Sequence, residues 1–135
     1  MAFTTYAAYV AALAAMNITG VTTEFSEPPR QLHTAQLPAQ FPRLPTGENG
    51  IVAFSSATGL SSATCELVIV IEPVQQNLQS VNYALALTLL DNTETALATN
   101  AAAFGLDGWT LEVQRSPLGD GTVYWTLVAT VEASG

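Results

Sequence analysis

The sequence contains no lysine, and its positive charge comes from just three arginines, Arg30, Arg43 and Arg115. Eleven acidic residues outweigh them, so the formal net charge is −8 at pH 7. Binding to nucleic acid or to an anionic bilayer needs clustered Lys and Arg. The absence of lysine also excludes a P-loop lysine and a Schiff-base lysine. The composition therefore argues against nucleic-acid and membrane partners and against both of these catalytic chemistries.

Cysteine and histidine occur once each, as Cys65 and His33. One cysteine allows no internal disulfide, and the two residues together cannot supply the ligands of a structural zinc site. Cys65 has no basic neighbour in sequence to lower its pKa, so we expect a small buried core residue. His33 has no sequence feature that places a nucleophile and an acid beside it, so we expect an exposed or interface histidine.

Two further groups could carry chemistry. Glu66 and Glu72 flank an apolar strand and are expected to share one face, where a carboxylate pair could do acid–base work, although two strand ends reaching water is the default interpretation. Trp109, Tyr124 and Trp125 could form a stacking platform for a sugar or a base, but core packing is favoured. We predict no catalytic, cofactor-binding or metal-binding residues and no cofactor.

Charged residues make up 10% of the chain, against about 25% in ordinary soluble proteins. Hydrophobic residues make up 49%, and 21 alanines and 17 threonines replace the missing charges. At 135 residues the chain has the usual size of one domain, spanning 1–135. A monomer with so few charges would be poorly protected against aggregation, so we expect other protein to cover much of its surface.

The N-terminal apolar run from Tyr6 to Met16 is eleven residues long, against about twenty needed to span a bilayer. No Lys or Arg precedes it, which argues against a secretory signal. We instead predict a helix that begins after Thr4 or Thr5 and ends near Asn17 and Gly20. Its core-facing stripe contains Tyr6, Tyr9, Val10, Leu13 and Met16.

A short strand is predicted over 21–25, after which the pattern changes. Five prolines fall between Pro28 and Pro45, and proline neither continues a helix nor donates to a sheet. The stretch also carries Leu32, Leu37, Phe41 and Leu44, which a flexible linker would avoid. We predict an extended arm, 28–45, that lays these side chains on a neighbouring subunit.

The second half of the chain predicts regular elements. Gly47 and Gly50 are expected in a turn before a strand at 51–56, and a second turn is expected at 57–62. The unbroken apolar run within 64–74 predicts the central strand, covered on both faces.

A long helix is predicted from Leu78 to Asn100, capped by Asn77 and apolar on two sides. Its sheet-facing side is expected to carry Leu78, Val81, Leu85, Leu89 and Ala96. The opposite side is expected to carry Tyr83, Leu87, Leu90 and Leu97.

A hairpin closes the chain, with strict alternation over 109–115 and 123–131 around the turn at 117–121. Trp109, Leu111 and Val113 are expected to point inward. The order of elements predicts an α+β fold with a mainly antiparallel sheet of about five strands, two helices packed on one side and the long proline-rich arm.

Three features carry a resemblance to a known family. The first is the N-terminal helix followed by a strand and then the arm reading LPAQFPRLP at 37–45. The others are the strand ELVIVIEP at 66–73 followed by a long helix, and the Trp-containing hairpin ending LVATVE at 127–132. Over nearly the full chain, this arrangement resembles the tail terminator family of long-tailed bacteriophages, the small neck proteins that cap the tail tube. The resemblance implies a structural virion protein without an active site that forms a homo-hexameric ring and docks the tail to the head connector.

The implied partners are further copies of the chain, the tail tube protein and the head–tail connector proteins, with DNA passing through the channel and not bound specifically. The implied location is the virion, after assembly in the host cytoplasm. Combined with the apolar arm and the two-sided helix, this predicts a subunit interface formed by Leu32, Leu37, Pro38, Phe41, Leu44, Tyr83, Leu87 and Leu90.

Three alternatives remain open on the sequence. The chain could be another neck or head-completion subunit of the same virion. It could be a secreted adhesive or sugar-binding β-module, which Thr richness, aromatic residues and acidity favour but which would need a signal sequence. It could also be an enzyme, which the single histidine and the missing lysine disfavour.

Overall fold

A computed structural model describes residues 3, 5–51, 58–74, 79–117 and 122–134. The chain is an α+β protein with a mainly antiparallel sheet, as predicted, and this sheet has six strands. The two helices are α1 (Tyr6–Ala14) and α2 (Gln79–Phe104), and a 3-10 turn lies at Thr34–Gln36. The strands are β1 (Thr23–Glu24), β2 (Ala39–Pro42), β3 (Thr46–Ile51), β4 (Thr58–Pro73), β5 (Leu106–Pro117) and β6 (Val123–Ser134).

The strand order is β1-β2-β4-β6-β5. Strands β2 and β3 both pair with the same edge of β4: β3 with the first part of β4, and β2 with its later part. Every pairing is antiparallel except that of β1 with β2. The predicted central position of the apolar strand is confirmed, because β4 pairs along both of its edges. Its unbroken apolar run fits this place, since both faces of the run are buried.

The main core lies between the sheet and the two helices. Leu67 and Ile69 of β4 and Leu127 of β6 are fully buried there. The α1 prediction is confirmed: Thr5 caps the helix, its Oγ1 accepting a hydrogen bond of 3.1 Å from the Ala8 N–H. Tyr9, Leu13 and Met16 of the predicted stripe are buried, and Tyr6 and Val10 pack against them.

A second, smaller cluster covers the opposite face of the sheet. Its buried members are Phe41, Val68, Val70, Tyr124 and Val128. Phe25, Leu32 and Leu37 pack over it from the segment that leads into β2. Within the chain, the apolar side chains of 28–45 therefore pack on the chain's own sheet, and residues 39–42 form a buried strand in it. Contact of this segment with a neighbouring subunit stays a prediction.

The region after β2 also differs from the prediction. Gly47 and Gly50 lie in strand β3, in register with Ala63 and Gly59 of β4, and form no turn. Strand β4 begins at Thr58, so residues 58–62 are extended where a turn was predicted. Small Ser, Thr and Gly residues resemble a loop in sequence, yet here they pair as a hairpin. Apart from Ile51, the predicted strand at 51–56 lies outside the described residues, as does Ala57.

Helix α2 ends at Phe104, four residues beyond the prediction, where Gly105 adopts a positive φ of 66°. Leu97 was predicted on the outer side, but it is fully buried in the main core together with Leu89. Leu90 also packs against that core, because the two apolar sides of α2 are continuous around the helix. Asn77 and Leu78 lie outside the described residues.

Candidate interaction surface

The structure brings no set of reactive side chains together in its described part. His33 is exposed, as expected, and its backbone N–H donates to Oε1 of Gln36 at 2.9 Å. Among the described residues, no group of three or more His, Cys, Asp or Glu side chains could hold a metal ion.

Cys65 is buried, which confirms its prediction as a core residue. Its Sγ donates to the Arg43 carbonyl at 3.3 Å. Burial is the main cause that raises the pKa of the Cys65 thiol from 9.0 to about 11, and the charge of the adjacent Glu66 is the second. The thiol is therefore protonated at neutral pH and is unsuited to nucleophilic work.

We expect Cys65 to make the free energy of unfolding fall at alkaline pH. The pKa of the thiol is higher in the folded chain than in the unfolded chain. The free energy of unfolding therefore contains the full contribution of the protonated thiol below about pH 9 and loses it as the pH rises to about 11. Urea unfolding at pH 8 to 11 should show a shallower decline for Cys65→Ala than for the wild type. Parallel declines would contradict this prediction.

Glu66 and Glu72 do not share a face, so that prediction is wrong. A β-bulge between Val70 and Glu72 inserts one residue, after which Glu72 lies in register with Trp125 while Glu66 pairs with Thr130. Glu66 instead forms a salt bridge with Arg43 at 2.9 Å. The bulge therefore separates the two carboxylates.

The three aromatic residues considered for stacking are also divided. Trp109 and Trp125 pack against the helix-side core, whereas Tyr124 belongs to the cluster on the opposite face. The guanidinium carbon of Arg115 lies 4.8 Å from the centre of the Trp125 ring. Core packing, the favoured interpretation, accounts for all three.

Exposed apolar side chains are the most distinctive feature of the surface. Leu44 is 93% exposed, Tyr83 68%, Leu87 45% and Val123 41%. Leu44 lies between β2 and β3, on one side of the sheet. Tyr83 and Leu87 lie one helical turn apart on α2, so they form a stripe.

The stripe on α2 is turned towards β5. Glu94, seven residues after Leu87, lies on the same side of the helix, and its Oε2 accepts a 2.6 Å hydrogen bond from Nε1 of Trp109. Leu111 and Val113, beyond Trp109 on β5, are half-buried at the margin of the core. We call this surface the β5 flank; it consists of Tyr83, Leu87, Trp109, Leu111 and Val113.

Much of the rest of the helical layer consists of alanine and threonine, and Asp91 and Glu94 are the acidic residues of α2. The Oγ1 hydroxyls of Thr88, Thr95 and Thr99 each donate to the carbonyl four residues earlier in α2, at 2.8 to 3.0 Å. These hydroxyl protons are used inside the helix, so the exposed threonines can offer their methyl groups to a contact. Helix α1 contains no charged residue at all.

The eight residues predicted to form a subunit interface lie in three places. Leu44, Tyr83 and Leu87 are exposed. Leu32, Leu37 and Pro38 are half-buried in the segment that covers the smaller cluster, and Leu90 is half-buried against the main core. Phe41 is buried within its own chain and has little surface to offer a second one.

Comparison with known proteins adds no relative to this description: no family model matches the chain, and no curated protein matches it either. In the described part of the chain, neither helix combines the length and apolar character needed to cross a bilayer.

Proposed function

We propose that this chain is a structural virion protein of a long-tailed bacteriophage that assembles into a homo-hexameric ring, caps the tail tube and docks it to the head connector. It acts without cofactor or active site. Its partners are sister copies, the tail tube protein and the connector proteins, in the neck of the virion. The resemblance in element order supports this proposal, and the surface of the fold is compatible with it.

The single observation that carries the proposal is the position of the exposed apolar side chains. Leu44 is exposed between β2 and β3, at one edge of the sheet. Tyr83 and Leu87 are exposed on the side of α2 that is turned towards β5, at the opposite edge. Two different apolar surfaces at opposite edges of one molecule favour head-to-tail contacts between copies. Such contacts close into a ring when the rotation between neighbouring copies allows it.

The charge of the chain supports the passage of DNA without binding. Each copy carries a net charge of −8. Glu66, Glu112 and Glu132 lie on the sheet face opposite the helices, where one arginine, Arg43, neutralises Glu66. A ring of such subunits would repel the phosphate backbone, since like charges raise the cost of contact.

Light scattering coupled to size-exclusion chromatography tests the self-assembly. We expect a particle of about 85 kDa, six copies of the 14.2 kDa chain. The double variant Tyr83→Glu/Leu87→Glu should shift the protein to smaller species because it places charge in a buried contact. Gln31→Glu adds one negative charge at an exposed site away from the β5 flank and should leave the particle intact, as a control for the added charge of each glutamate.

The capping role has a separate test. Purified protein added to the polymerising tail tube protein of the same phage should bind tube ends and stop elongation. Binding to the head connector without any effect on tubes would instead favour the alternative of another neck subunit. A stable monomer that binds neither would overturn the proposal.

A further inference from the structure

Strand β5 ends the sheet on one side with unpaired backbone groups. Thr126 of β6 lies in register with Gln114, and its Oγ1 donates to the Gln114 carbonyl at 3.2 Å, so the backbone of Gln114 faces β6. The backbone groups of successive residues alternate between the two edges of a strand. The N–H and C=O groups of Val113 and Arg115 therefore point outward, where no described strand pairs with them.

Strand β1 is the outermost strand on the other side of the sheet. The N–H groups of Thr23 and Phe25 both donate to carbonyls of the adjacent segment at 38–40, at 3.3 and 2.8 Å. Glu24 lies between them, so its own N–H and C=O point away from β2. Each outer edge of the sheet therefore offers a backbone donor and acceptor at a known residue.

The directions of these two edge strands are complementary. Strand β1 runs parallel to β2, which is antiparallel to β4, whereas β5 and β4 are both antiparallel to β6. Strands β1 and β5 therefore run in opposite directions. A second copy placed beside the first in the same orientation would present β1 to β5 as an antiparallel neighbour, the pairing found in all of the described sheet except between β1 and β2.

The charges beside the two edges are also complementary. The row of paired residues that begins at Glu24 ends at Val113 on β5, so Glu24 lies on the same face of the sheet as Val113 and Arg115. Glu24 and Arg115 are both exposed, and neither forms a salt bridge in the part of the chain that the structure describes. If the rows continue into a second copy, Glu24 becomes a diagonal neighbour of Arg115. A shift of two residues would place the two directly opposite, and opposite charges across two strands stabilise their pairing.

The helical layers of two such copies would meet beside the paired strands. Gln40 of β2 donates to two carbonyls at the end of α1, so this end of α1 lies on the β1 side of the sheet. Tyr83 and Leu87 lie on the side of α2 that is turned towards β5. The exposed residues of α1 and its C-cap are small and uncharged: Ala7, Ala8, Ala11 and Ala15. The apolar stripe of one copy would thus meet an alanine surface of the next.

We propose that neighbouring copies join edge to edge, with β5 of one copy paired antiparallel to β1 of the next and a salt bridge between Arg115 of the first and Glu24 of the second. The stripe of Tyr83 and Leu87 packs against α1 of the second copy. The contact is heterologous, so each copy uses both edges and the assembly closes as a ring or extends as a filament. This inference rests on the proposed self-assembly and specifies the surfaces that carry it.

Charge reversal tests the salt bridge. Glu24→Arg places two arginines at the contact and Arg115→Glu places two glutamates there, so each variant alone should need about tenfold more protein than the wild type to assemble. An equal mixture of the two variants should assemble like the wild type, because copies that alternate again join one arginine with one glutamate at every contact. Size-exclusion chromatography with light scattering over a dilution series measures both effects. Glu132→Arg, exposed on β6 inside the sheet, is the matched control and should assemble normally.

Disulfide trapping tests the strand pairing without relying on charge. Glu24→Cys protein should be mixed in equal amounts with Val113→Cys protein, reassembled and oxidised. We expect a disulfide-linked dimer in this mixture and in neither variant alone. Since ring closure can shift the register by two residues, Arg115→Cys serves as a second β5 position. Wild-type protein, whose Cys65 is buried, is the control for unwanted cross-linking.

The outcomes separate the two proposals. A monomeric wild type would overturn the self-assembly itself. An oligomer that gives no mixed cross-link from either β5 position would overturn the strand pairing and leave self-assembly standing. Cross-linking without recovery of assembly in the mixture of charge variants would overturn the salt bridge. Cross-linking in Val113→Cys protein alone would show two β5 strands paired symmetrically, which also contradicts the head-to-tail contact.

Discussion

The Gln40→Glu variant should unfold roughly 12 °C below the wild type at pH 7, a loss of about 3 kcal/mol. Gln40 is fully buried, and its Nε2 donates 2.9 Å hydrogen bonds to the carbonyls of Ala14 and Met16 at the end of α1. The substitution keeps the shape of the side chain but replaces the donor with a charged acceptor. Two buried carbonyls then lose their partner and face a carboxylate.

The pH dependence of this loss distinguishes the electrostatic cause from a packing defect. Burial raises the pKa of the introduced carboxyl above its unfolded value, so the part of the penalty that comes from the charge is full above the folded pKa and is absent below the unfolded one. Thermal melts at pH 7 and pH 5 should therefore show the gap between variant and wild type narrowing with acid. Gln31→Glu, at an exposed site, is the matched control and should change little at either pH. A gap for Gln40→Glu that does not vary with pH would contradict the assigned hydrogen bonds.

The role of Gln40 illustrates what the sequence could not provide. The alternation of β5 and β6, the cap at Thr5 and the burial of Cys65 depend on local pattern, and the sequence predicted them. Gln40 acts on a helix that lies about 25 residues earlier, and its position depends on the pairing of β2 with β4. One available signal was a glutamine within the short run AQF between two prolines, where an apolar strand residue would be expected.

The proline-rich segment shows a related limit of the sequence. Its prolines exclude a helix, but they do not say whether Leu32, Leu37 and Phe41 cover the chain's own sheet or another copy. The second face of the sheet offered a large apolar surface close by in sequence, and covering it costs less entropy than ordering a second chain. Leu44, beyond the last of these contacts, is left exposed and becomes the candidate for assembly.

Gly47 and Gly108 provide the second large expected effect as a matched pair of strand glycines. A Cβ at Gly47 would clash with the backbone oxygen of Ser62 and lie 2.9 Å from Cε1 of Tyr6. Neither the paired backbone of β4 nor the ring packed against the core can yield easily. We therefore expect Gly47→Ala to lose about 2 kcal/mol of stability, roughly 8 °C in melting temperature, by pushing β3 away from β4.

The Gly108→Ala control should be neutral or slightly stabilising, because its Cβ meets open space and alanine lowers the entropy of the unfolded chain. Thermal melts of the two variants side by side measure the difference. Equal stability of the two would mean that Gly47 is not held against β4 and would contradict the close approach of β3 to Ser62 and Tyr6.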